Sequence, residues 1–198
     1  MGKAMNSIRL LLSAVAMVVL AACYPPTTSH PIGTTVGFKS DPALLGLWKA
    51  EPDPSNHRSY YYDLLNAKDG AMFAVLVPDR GEATDVMMFK LEAARFGNFG
   101  FLNVRVMTDP EHEATDQPAG FVPVLYRFDA NGRLKIFMLD EDALKTAIGA
   151  HKIAGTIATA GTNDVVITAD GATLDKFFRS RTGLALFDRS FAVLTRVK

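Results

Sequence analysis

Residues 122–139 read VPVLYRFDANGRLKIFML, and the Asn131-Gly132 pair inside this stretch decides the fold class. Asn-Gly supplies the positive backbone angles of a tight reversal, so between two apolar runs it marks a β-hairpin. Beyond the turn, Leu134, Ile136 and Met138 alternate with Arg133, Lys135 and Phe137, which puts three apolar side chains on one face of a strand. Working outward, Gly97-Asn98 separates 86–95 from 99–106, where Leu102, Val104 and Val106 oppose Asn103 and Arg105. Asp69-Gly70 separates 60–65 from 72–77 in the same way, and 191–197 reads as a last strand. Successive hairpins predict a mostly-β, antiparallel domain, either a barrel or a strongly bent sheet. Two late segments change period. Asp140 caps a predicted helix over 141–150, with Leu144 and Ile148 inward; Asp170 or Thr173 starts a second, with Leu174, Phe177 and Phe178 inward and Gly183 ending it. Residues 43–198 therefore read as a single β-rich domain with two short helices late in the chain.

The other end of the chain reads as an address. Residues 1–23 are MGKAMNSIRLLLSAVAMVVLAAC, with Lys3 and Arg9 ahead of an apolar run over 10–20 broken only by Ser13. A helix crossing a ~30 Å hydrocarbon layer needs about 20 apolar residues, so a signal sequence fits better than a span. Leu20-Ala21-Ala22-Cys23 resembles the lipobox of bacterial lipoproteins. That resemblance implies a signal peptide over 1–22, cleavage between Ala22 and Cys23, and lipid, palmitate included, on Cys23. Two or three acyl chains hold a protein to a membrane durably, where one does so marginally. Tyr24 is not the aspartate of an inner-membrane retention signal, so in a Gram-negative cell the resemblance implies the periplasmic face of the outer membrane. The stretch 24–42, YPPTTSHPIGTTVGFKSDP, has the Pro, Thr, Ser and Gly content of an extended linker, so 23–42 reads as a lipidated cysteine and tether, with His30 solvated.

Several chemistries are disfavoured. The chain has 21 basic and 21 acidic residues; without Lys3 and Arg9 the remainder carries 19 against 21, a formal −2, with no basic cluster for nucleic acid. Cys23 is the one cysteine, which rules out an intramolecular disulfide, a cysteine-ligated zinc and, with its sulfur acylated, a thiol nucleophile. No nucleophile elbow, P-loop or H-E-x-x-H is present, so no catalytic residue, metal or cofactor is expected. The ligand-rich stretch 109–116, DPEHEATD, lacks calcium-loop spacing and reads as a solvated loop. Hydrolysis at a metal would need His57 and His112 to converge with carboxylates, and an anion site would draw on Arg179, Arg181 and Arg189.

Gly46-Leu47-Trp48 opens the first strand of the domain, and Arg196 lies in the last. This G-x-W and late arginine resemble the lipocalin and wider calycin barrels, and the chain is similar to lipocalin-like lipoproteins of bacteria, which carry no agreed activity. The resemblance implies structural roles for Gly46, Trp48 and Arg196: the indole plugs one barrel end and the guanidinium packs across it, worth roughly 0.5–2 kcal/mol. The chain departs from that pattern in its two late helices. In the run Tyr60-Tyr61-Tyr62, Tyr60 and Tyr62 share a face and are the nominated ligand contacts at a barrel mouth. Methionines such as Met72, Met87 and Met138 could line a pliable cavity. The expected function is a non-enzymatic, lipid-anchored binding domain for a small hydrophobic ligand. The alternative is an envelope interaction or assembly-accessory protein that docks on a periplasmic partner and has no pocket.

Overall fold

The computed structural model describes residues 25–52, 60–67, 71–79, 86–109, 112–113, 120–158, 165–188 and 190–197. The leader with Ala22 and Cys23, the Asp69-Gly70 turn, His57 and Arg189 lie outside the described residues.

Eight strands close into an antiparallel barrel: β2 (Gly46–Ala50), β3 (Tyr60–Asn66), β4 (Met72–Pro78), β5 (Met87–Phe96), β6 (Phe99–Asp109), β8 (Val122–Phe128), β9 (Leu134–Met138) and β12 (Ser190–Arg196). Each pairs with the barrel strand before it in the chain, and β12 returns to β2 to shut the ring. Of the two architectures the sequence allows, the closed one forms. Short strands complete the fold: β1 (Thr27–Thr28), β7 (His112–Glu113) paired on β6, and β10 (Gly155–Ile157) with β11 (Val165–Ile167).

The alternation sets two cores. Leu134, Ala74, Leu91, Leu102, Val124 and Leu194 face the barrel interior. On the outer faces of β6, β8 and β9, Phe101, Leu125 and Phe137 are equally buried, because the β9–β12 connection folds back over them. That connection carries three short helices, α1 (Glu141–Gly149), α2 (Gly171–Arg179) and α3 (Arg181–Leu184), followed by a 3-10 turn over Ala185–Phe187. Phe101 meets Phe178 and Phe187 at ring separations of 5.9 and 5.6 Å. Strands covered on both faces lose the in-out contrast of a half-exposed sheet.

Asp140 caps α1 by accepting the Ala143 amide, and His151 follows it at φ 54°, the left-handed position past a helix end. Of the two starts open for the next helix, Asp170 is the one used, accepting from the Thr173 amide. Gly183 does not end that helix. Ser180 does: its extended backbone breaks the helix, and its hydroxyl caps α3, inside which Gly183 packs against the Phe177 carbonyl. Two expected helices are therefore three.

The tether reading of 24–42 needs correction over its described part. Residues 25–42 lie along the barrel, with Pro26, Thr27, Thr28 and Ile32 buried. β1 pairs in parallel with β11, and Thr28 exchanges backbone hydrogen bonds with Phe121. Buried Asn103 on β6 accepts the Ile32 amide at 2.7 Å and donates to its carbonyl at 2.8 Å, as a neighbouring strand would. Buried Asp175 on α2 accepts the amides of Gly33 and Thr35 and the Thr35 hydroxyl. Residues that suit a flexible linker also suit an extended strand whose backbone is satisfied by side chains far away in sequence. His30 is exposed.

Candidate functional site

The barrel has a sealed end and an open one. At the sealed end Trp48 is buried, and its indole Nε1 donates to the Leu44 carbonyl at 2.7 Å. Arg196 pairs across the strand from Trp48, with its guanidinium 4.3 Å from the ring centroid and donating to the Leu45 and Ala43 carbonyls at 2.6 Å each. Gly46 makes this possible: its φ is +110°, and a Cβ there would sit 3.0 Å from Arg196 Nη1.

Beside the tryptophan, Tyr126 donates to Asp41 at 2.8 Å, and Arg95 bonds the same carboxylate at 2.7 Å. Burial, and then the Asp41 carboxylate, hold the Tyr126 phenol far above its ordinary range. Gly100 leaves room for this ring; a Cβ there would lie 2.4 Å from it. Bulky rings and internally paired charges thus plug the floor.

Above the plug lies an apolar cavity of about 510 Å³, walled by inward residues such as Leu64, Ala74, Leu76, Phe89, Leu102 and Ile136. Small-molecule sites run from roughly 300 to 1,000 Å³ and place a few polar groups on an apolar wall. Here those groups are Tyr60 and Tyr62 from β3, Thr27 from β1, and Arg105 with Glu113. Arg105 is engaged already: it pairs with Glu92 at 3.3 Å and with Glu113, and lies 4.9 Å over the Phe121 ring. Burial pushes the Tyr62 phenol up, with Tyr60 adding to the shift. Thr27 differs. Its side chain is 3% exposed and, among the described residues, its Oγ1 is the buried side-chain polar atom with no hydrogen-bond partner.

At the mouth, Tyr60, Tyr62, Met138 and Phe191 also border a second, more polar cleft of about 800 Å³, reaching Glu51 and the start of α1. β12 shifts register between Ser190 and Ala192, and Phe191 at that irregularity is 65% exposed. Tyr61 points the other way, toward Lys49 on the outer wall.

No family model, curated protein or solved structure matches this chain.

Both nominated tyrosines therefore reach the cavity wall, as do Met87 and Met138, whereas Met72 is buried without lining the cavity. Among the described residues no three potential metal ligands converge. From the ligand-rich stretch 109–116, Glu113 pairs with Arg105, and most of the rest lies outside the described residues. Arg179 stacks 5.2 Å from the Phe96 ring. Thr27 and Phe191 were not legible as cavity residues, the first because composition placed it in a linker, the second because strand alternation does not mark a bulge.

Proposed function

We propose that the protein is a lipid-anchored envelope protein of lipocalin-like type, acylated on Cys23, whose barrel binds a small hydrophobic ligand without catalysing its conversion. The apolar cavity above the Trp48 plug carries this reading: an interior of that size, lined by aliphatic and aromatic side chains, favours an apolar molecule over water. The lipobox and apolar leader support export and anchoring, with the outer membrane's periplasmic face as the site of residence. Native mass spectrometry of the protein released gently from envelope membranes tests the binding: an apolar adduct is expected, and its absence across release conditions that preserve the fold counts against the reading.

A second reading has its own observation. Among the described residues the helices leave the outer faces of β2, β3 and β4 uncovered, and Leu47, Leu65 and Val77 are exposed there. A protein partner seated on that face is the alternative, and in-cell cross-linking from Leu65 tests it: one dominant product is expected if the face is occupied.

A further inference from the structure

Because 25–42 is fixed to the barrel, the anchor has almost no slack. Pro25 lines the cavity together with Thr27 and Gly120, and Thr28 is held to the Phe121 backbone at 2.8 and 2.9 Å. Cys23 stands two residues before Pro25, and two residues of extended chain span at most about 7 Å. Acyl chains on that sulfur would therefore start within that reach of Pro25, which brings the mouth toward whatever surface they enter.

The rim fits such a surface. Val86, Met87 and Phe191 are 44%, 42% and 65% exposed, and Met87 and Phe191 also line the cavity. An apolar path thus runs from the outside of the rim to the inside of the barrel. The opposite end is closed by Trp48 and Tyr126 and carries the Arg95–Asp41 pair and Arg196. In water the rim residues are a cost; against a bilayer, apolar groups at the headgroup boundary enter to a depth of roughly 5–10 Å.

We propose that the barrel docks mouth-down on the membrane that holds its anchor, with Val86, Met87 and Phe191 in contact with lipid, so that the ligand is an acyl chain entering from the bilayer without crossing water. This rests on the anchored, ligand-binding reading above.

The test uses the full, processed and acylated chain in phosphatidylcholine vesicles whose acyl chains carry bromine, which quenches tryptophan on contact. In the parent protein the tryptophan is Trp48, at the sealed end. Phe191→Trp and Met87→Trp each add a reporter at the rim, and Leu47→Trp adds one on the outer wall near the plug. Both rim reporters should lose most of the emission they add to that of the parent, relative to unbrominated vesicles, while the emission added by Leu47→Trp changes little. Unquenched rim reporters on a chain that has incorporated labelled palmitate and remains on the vesicles would overturn the orientation and leave the anchor standing. A chain that incorporates no palmitate loses the anchor, and the orientation with it. Quenching at Leu47→Trp but not at the rim would place the barrel the other way up.

Discussion

Asn103→Leu removes the clamp that fixes the N-terminal segment while keeping a side chain of similar bulk on β6. In the intact protein the Asn103 amide group bonds both Ile32 backbone groups and also donates to the Glu92 carbonyl at 3.1 Å. Asn103 is 1% exposed and Ile32 is fully buried, so water does not replace these partners while the segment stays docked. A buried backbone group left unpaired costs about 1–3 kcal/mol, so two at Ile32 imply a loss of about 2–6 kcal/mol. The Asp175 bonds to Gly33 and Thr35 remain, and they limit how far the segment departs. The assay pairs urea denaturation with amide hydrogen exchange. The midpoint should fall by the equivalent of that energy, and protection at 27–35 should drop before that of the barrel strands. A change within about 0.5 kcal/mol, the range of ordinary surface substitutions, with unaltered protection at Ile32, would refute the clamp.

Three further outcomes follow from the same geometry. Arg196→Leu removes the guanidinium over Trp48 and its bonds to the Ala43 and Leu45 carbonyls, and should cost about 1–3 kcal/mol in denaturant with a shift of the Trp48 emission; an unchanged spectrum and midpoint contradict the plug. Thr27→Val keeps the strand-compatible shape and deletes the partnerless buried hydroxyl, so the urea midpoint should hold or rise, by at most about 1–3 kcal/mol, and a clear fall would contradict the absence of a partner. The raised Tyr126 pKa gives a direction with pH. Above about pH 10 the unfolded chain releases this proton while the folded one keeps it, so stability is intact below that pH and declines as pH rises, by up to about 1.4 kcal/mol per unit. In Tyr126→Phe the alkaline decline measured by thermal melts should be shallower, and an identical slope would contradict the assignment.

The local elements were legible because local rules make them. Gly132 adopts φ 75° at the hairpin tip, the Leu134, Ile136 and Met138 face turns inward, and Asp140 caps its helix. Closure was legible through the resemblance of Gly46-Leu47-Trp48 and Arg196 to calycin barrels, and not from any local pattern, since it depends on Arg196 meeting Trp48 across most of the chain length. Phe137 alternates with Arg133 and Lys135 and so reads as outward-facing. It does point outward, yet it is 3% exposed, because α1 and α2 cover that wall. The segment 25–42 misled for a related reason: its partners, Asn103 and Asp175, are 71 and 142 residues from Ile32 and Gly33. The tyrosine face was readable from period alone, but a cavity behind it was not, because the empty space comes from the girth of an eight-stranded ring.

The interior of the barrel as a ligand site is tested most directly by titrating the purified protein with N-phenyl-1-naphthylamine, which fluoresces in apolar surroundings, alongside Ala74→Trp, which grows a ring into the cavity from a wall position. Saturable enhancement in the parent, lost in a variant that still melts cooperatively, is the predicted result. No saturable enhancement in the parent, or equal enhancement in both proteins, contradicts it.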